Sequence, residues 1–117
     1  MFLAGNKDSE LERLTGRWIS NKDYRLPYRT LRECAQRMGT SPELLHRYCL
    51  KRYGMDFRTL RRRLRMEDAK AMLLEFPDLP SSTIGRQLGI LDRSNFTRQF
   101  KEHTGYTPDQ WRLLNKK

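Results

Sequence analysis

Gly89-Ile-Leu-Asp92-Arg93-Ser94-Asn95-Phe96-Thr97-Arg98-Gln99-Phe100 decides the fold of this 117-residue chain, because it repeats an earlier stretch with one extra residue in the turn. The earlier copy is Gly39-Thr-Ser41-Pro42-Glu43-Leu-Leu45-His46-Arg47-Tyr-Cys49. Beyond the turn the register holds at 51 residues, pairing Leu45 with Phe96, Arg47 with Arg98, Gly54 with Gly105, Leu60 with Trp111 and Arg61 with Arg112. A fixed-period repeat marks one supersecondary unit used twice.

Each copy reads as helix, short turn, helix. Thr30 caps Leu31 to Met38, and Ser81 or Ser82 caps Thr83 to Leu88. Gly39 and Gly89 then supply the left-handed residue that ends each helix. Ser41-Pro42 and Asp92 open the second helix of each copy, with Pro at the first helical position, where its missing N–H costs nothing. Four residues before each turn glycine sits a small residue, Ala35 or Gly85, which predicts a close, steep helix crossing. Gly85 costs about 1 kcal/mol of helix propensity relative to Ala, and close contact is the compensation expected.

A helix pair of this kind belongs either to a helical solenoid or to a helix-turn-helix whose second helix enters the major groove. Solenoids need three or more copies to bury a core, and this chain has two. Lys and Arg number 24 against 14 Asp and Glu, a net charge of +10 that suits a polyanionic partner. No stretch approaches the roughly eighteen apolar residues of a membrane span, and Met1 to Gly5 is too short for the core of a signal peptide.

Cys34 and Cys49 lack CxxC spacing and are not placed with His46 or His103, so both are expected as buried, reduced thiols rather than metal ligands. Trp18 and Trp111 are expected to fill the cores of the first and second unit. Ser9-Glu-Leu-Glu12 reads as a capping box opening a first helix through Leu11, Leu14, Trp18 and Ile19, and Thr107-Pro-Asp-Gln110 as another opening the last.

Between the units a helix is expected over Phe57 to Phe76, capped by Asp56 and closed by Pro77. At about 100° per residue, Phe57, Leu60, Leu64 and Ala71 fall on one side, while Met66, Ala69, Met72, Leu73 and Phe76 cluster on another. Two apolar faces suit a strut between two small cores. The alternative, a helix wholly buried in one bundle, would bury Arg61, Arg62, Arg63 and Arg65 as well. Twenty residues of such a helix span about 30 Å, close to the roughly 34 Å between successive major grooves on one side of B-DNA.

The segments Thr30 to Ala35, Gly39 to Cys49, Arg65-Met-Glu-Asp-Ala-Lys-Ala-Met-Leu73, Gly89 to Lys101 and Gly105-Tyr-Thr-Pro108-Asp-Gln-Trp-Arg112 together resemble the DNA-binding domain of the AraC/XylS transcriptional regulators. The resemblance covers roughly residues 9 to 114 and is most specific in its second half. It implies an all-α fold of about seven helices, with two helix-turn-helix subdomains (residues 9–56 and 77–117) joined by a connecting helix (57–76). It further implies sequence-specific binding to double-stranded DNA in the control of bacterial transcription, with RNA polymerase as a further candidate partner. Residues 1–8 read as a linker remnant, and the chain as the C-terminal fragment of a larger regulator.

On the second helix of each unit, Leu45, Tyr48 and Cys49, or Phe96 and Phe100, should pack inward. That leaves Glu43, His46 and Arg47 in the first unit and Arg93, Ser94, Thr97 and Arg98 in the second as candidate base readers. Arg is the commonest specific reader, bidentate to guanine O6 and N7, while Ser and Thr meet several bases. Lys51, Asn95 and Lys101 are candidate phosphate contacts, which position the protein without specifying sequence. Where the family signature has Phe-Lys, the first unit has Cys49-Leu50 against Phe100-Lys101 in the second, so the second unit is expected to bind more strongly.

No paired acid and base beside a nucleophile, no phosphate loop and no dinucleotide fingerprint is found, so no enzyme is expected. Nor is a cofactor, metal or small-molecule site expected. The reading is of a cytoplasmic, nucleoid-associated domain that is monomeric in isolation and makes no membrane contact. Its rivals are a basic helical module for an acidic protein or anionic surface, and a nonspecific nucleic-acid binder.

Overall fold

The computed structural model describes residues 2–27 and 30–116, with side chains from residue 7 onward. Among the described residues there are seven α-helices and no strand. They are α1 (Phe2–Ser20), α2 (Leu31–Met38), α3 (Pro42–Tyr53), α4 (Phe57–Glu75), α5 (Ser81–Gln87), α6 (Arg93–Thr104) and α7 (Pro108–Leu114), with a short 3-10 turn at Asp23–Arg25. The contacts divide them into two units. The first holds α1 to α3 and α4 as far as Arg61; the second holds α4 from Arg62 onward, α5 to α7 and the segment Arg25–Pro27.

In the first unit, α1 buries Leu11, Thr15 and Trp18, a spacing of four and then three residues that keeps one helical face inward. The Trp18 ring lies 5.7 Å from that of Tyr24, edge-on, and 4.9 Å from that of Phe57. Cys34 and Ala35 of α2, Leu45, Tyr48 and Cys49 of α3, and Phe57 and Leu60 of α4 complete the core. Both cysteines are buried and neither forms a disulfide, as the sequence indicates.

The core of the second unit is built from Met66, Ala69, Met72 and Leu73 of α4, with Ile84, Leu88, Ile90, Phe96 and Phe100 packed against them. Trp111 joins from one side, half-buried, with its ring 5.9 Å from Phe100 and nearly perpendicular to it. The Arg112 guanidinium closes the end of α4, donating to the carbonyls of Leu73 (2.9 Å) and Phe76 (3.1 Å). Carbonyls in a last turn lack helical partners and draw cations, so this contact supports the helix terminus. Arg61, its repeat counterpart, also donates to a backbone carbonyl in the first unit, from Nε to Tyr24 of the 3-10 turn at 3.3 Å.

Several expectations are corrected. The first helix starts at Phe2, not at a capping box on Ser9, so residues 2–8 are helical. α5 begins at Ser81 behind Pro80 with no side-chain cap, so neither Ser81 nor Ser82 caps it. In α4, Ala71 is exposed rather than part of an apolar face, and Phe76 lies beyond the helix, 41% exposed. Pro77 accounts for the earlier stop, since the residue before a proline is pushed out of the helical region. Arg65, expected to avoid burial, is only 9% exposed. Its guanidinium donates to the Leu26 carbonyl at 2.9 Å, and such a hydrogen bond offsets the cost of removing the charge from water.

Candidate nucleic-acid interface

The two recognition helices, α3 and α6, are placed by their caps and by the turns before them. Thr30 Oγ1 accepts from the Glu33 amide to open α2, and Gly39, at φ 87°, donates to the Ala35 and Gln36 carbonyls to close it. Ser41 then accepts from the Leu44 amide at the start of α3, with Pro42 behind it. In the second unit, Gly89 adopts φ 86° and Ile90 donates back to the Gly85 carbonyl at 2.9 Å. Asp92 opens α6 by accepting from the amides of Ser94 (2.8 Å) and Asn95 (3.2 Å).

The close crossing expected at Gly85 is present. A Cβ built there would stand 2.7 Å from the Phe96 ring, nearer than real Cβ contacts come. Ala35, the counterpart, is fully buried. Gly89 is more confined than the sequence indicated, since a Cβ there would meet the Arg25 carbonyl oxygen at 1.9 Å, whereas one on Gly39 would meet nothing within 4 Å.

Both recognition helices turn the expected residues outward. Glu43, His46 and Arg47 are exposed on α3, opposite Leu45, Tyr48 and Cys49. On α6, Arg93, Ser94 and Arg98 are exposed and Thr97 is half-buried, opposite Phe96 and Phe100. Lys51 and Lys101 are exposed and Asn95 is half-buried.

Electrostatic settings differ between the helices. Arg98 is held by its own helix: one terminal nitrogen donates to Asn95 Oδ1 and the other faces Glu102 Oε1 at 3.5 Å. Gln99 Nε2 donates to the same Asn95 oxygen at 3.2 Å. The second Glu102 oxygen lies 3.6 Å from Arg62 of α4. In α3 the residues at the corresponding places around Arg47 are Leu44 and Lys51, neither of which offers an anionic acceptor. Lys51 instead pairs with Asp8 of α1 at 2.7 Å.

Sequence reasoning passed over Asp8, Arg62 and Glu102. Glu102 was within reach of a spacing argument, lying four residues after Arg98 on one helix face. Asp8 was not, because it lies 43 residues from Lys51 in a segment read as a linker remnant. Beside α3, His46 shares a shallow pocket with Thr30, Cys34, Asp56, Arg58 and Arg61. The Asp56 carboxylate caps α4, accepting from the Thr59 amide at 2.8 Å, and hydrogen bonding to Thr59 holds its pKa below the usual 3.8. Burial, seconded by the negative charge of Asp56, pushes the Cys49 thiol up to about 11. It therefore stays protonated behind the exposed face of α3.

A helix-turn-helix domain family model matches residues 34–113. The arabinose operon regulatory proteins of Salmonella typhimurium and Escherichia coli are each 33% identical to the chain over 78 residues, 67% of its length. The chain spans only about a quarter of those relatives, 27% and 26% of their lengths. Among solved structures, the C-terminal domain of AraT, a response regulator from Geobacillus stearothermophilus, superposes with a TM-score of 0.81 at 26% identity, covering 92% of this chain and 87% of that one. The C-terminal domain of the two-component response regulator yesN from Fusobacterium nucleatum gives a TM-score of 0.72 at 29% identity, covering 84% and 97%.

Proposed function

We propose that this chain, which belongs to the AraC/XylS-type helix-turn-helix family, binds double-stranded DNA sequence-specifically through α3 and α6 and so regulates transcription. The observation that carries the reading is the doubled motif itself: each recognition helix is capped, backed by a buried face and turned outward with an arginine at the same repeat position. In this reading Arg47 and Arg98, with Glu43, His46, Arg93, Ser94 and Thr97, face base edges. Lys51, Lys101 and Asn95 meet the sugar-phosphate backbone. The two units take two adjacent major-groove subsites about one helical turn apart, a spacing that rests on the length of the shared helix alone.

Among the described residues no helix is long and apolar enough to cross a membrane. The role proposed involves no catalytic step. It places the domain on cytoplasmic, nucleoid-associated DNA as a monomer in isolation, with RNA polymerase as a further partner.

Selection of bound duplexes from a random pool, followed by competition with random DNA, tests the reading. A specific reader holds its selected site against a large excess of nonspecific sequence. If about six phosphates are neutralised, log K falls against log salt with a slope near −5. A flat salt response would overturn nucleic-acid binding. A steep response with no selected sequence would leave a nonspecific binder. Inserting about five base pairs between the selected subsites turns one to the opposite side of the duplex, so affinity should fall to that of a single unit.

A further inference from the structure

We propose that Asn95 and Glu102 are positioning residues that pre-set the Arg98 guanidinium for base reading, a role that rests on the assignment of α6 to the major groove. Asn95 Oδ1 faces two donors, Arg98 and Gln99, which fixes the orientation of the amide. The Asn95 backbone is itself pinned, its amide donating to the Asp92 cap at 3.2 Å. Glu102 approaches the other terminal nitrogen of Arg98 from the next turn, and Arg62 approaches the second carboxylate oxygen, fixing Glu102 from α4.

An arginine has five N–H donors, and this arrangement engages two of them, one on each terminal nitrogen. Three remain, enough for the bidentate pairing with guanine O6 and N7. Exposed ion pairs of this kind add little to folding stability, so the consequence is orientation. A long side chain held before contact loses less freedom on binding. Asn95 Oδ1 serves this hold while its Nδ2 donors stay available to the backbone phosphate, so the two roles of one side chain are separable by substitution.

The test measures affinities of the folded chain for its selected duplex and for single-step variants of that duplex. Arg98→Ala should erase preference at one base step. Asn95→Ala should lower discrimination at that same step about tenfold, with a smaller uniform loss. Asn95→Asp keeps the acceptor but not the amide donors, so step discrimination should survive while all duplexes bind more weakly. Glu102→Ala should lower discrimination at that step a few-fold, and Asn95→Ala in an Arg98→Ala background should cost no further discrimination. A purely structural role for Asn95 would not move discrimination at a single step. Asn95→Ala that weakens all duplexes alike, with discrimination intact, would overturn the positioning role while leaving base reading by Arg98 in place. Arg98→Ala without any step-specific loss would overturn both, and would place the failure in the base-reading assignment.

Discussion

The two helix-turn-helix units carry the same grammar under different constraint. In the first, the turn glycine Gly39 has open space on its Cβ side, Ala35 fills the helix crossing, and Arg47 stands beside Leu44 and Lys51. In the second, Gly89 lies against the Arg25 backbone, Gly85 lies against the Phe96 ring, and Arg98 is held by Asn95 and Glu102. The repeat thus conserves which backbone conformation is needed, while the neighbours decide how much freedom is left. The second unit is the more tightly determined of the two.

The largest expected effect strikes that contrast directly. Gly89→Ala should cost about 4 kcal/mol or more, a loss typical of unrelieved clash, because the new methyl group would run into the Arg25 backbone carbonyl, which cannot step aside as a side chain can, and would also press on the Arg65 guanidinium. Gly39→Ala adds only the left-handed penalty of about 1 to 2 kcal/mol. Denaturant titrations resolve the difference, with Gly89→Ala followed by Trp111 fluorescence in a Trp18→Phe background and Gly39→Ala by Trp18 fluorescence in a Trp111→Phe background. Equal losses would show that the two turns are equally confined.

Next comes the helix crossing. Gly85→Ala gains about 1 kcal/mol of helix propensity, yet pressure on Phe96 should leave it destabilised by about 1 to 3 kcal/mol. Ala35→Gly in the first unit should also destabilise, by about 1 kcal/mol of helix propensity together with the loss of a buried methyl group. Thermal melting by circular dichroism checks both. A stabilised Gly85→Ala variant would mean that the second crossing is as accommodating as the first.

On DNA, Arg98→Ala should cost about 1 to 3 kcal/mol at one base step, and Arg47→Ala a smaller amount at another. The order follows from the held guanidinium of Arg98 and from the exposed, apolar Leu50 that stands where the second unit has Lys101. Gel-shift affinities on the selected site measure the pair. A larger loss for Arg47→Ala would make the first unit the principal reader.

The smallest effect concerns pH. In the second unit, Glu67 accepts from Lys70 and pairs with His103 of α6 at 2.9 Å, and those hydrogen bonds hold its pKa below the ordinary 4.5. A lowered folded pKa gives stability that is present above the unfolded value and lost as pH falls through the folded one. The second unit should therefore lose this contribution below about pH 4.5, and Glu67→Gln should make the acid limb of its melting profile shallower. An unchanged limb would show that the exposed pair contributes nothing measurable.

Most of the candidate interface was legible because helix periodicity is a local property. Knowing that Leu45, Tyr48 and Cys49 point inward is enough to point Glu43, His46 and Arg47 outward, and the structure agrees. The turn glycines and the caps Thr30, Ser41, Asp92 and Thr107 were equally plain, since each acts on amides only a few residues away. The misread starts of α1 and α5 share one cause. A serine that could cap was taken as one that does, whereas α1 runs through Ser9 and α5 opens behind Pro80 without a side-chain cap.

By itself the sequence determined the all-helical class, the two helix-turn-helix units and the outward face of each recognition helix, because all three follow from interactions within about a dozen residues. Only the tertiary structure decided that Arg65 is buried on the Leu26 carbonyl, that Lys51 faces Asp8, and that Gly89 must be glycine for want of space as well as for its φ. Each of these joins residues at least 39 apart in the chain or depends on a backbone brought in from elsewhere. A charge or a glycine carries no mark of such a partner; the partner arrives only when separate helices pack.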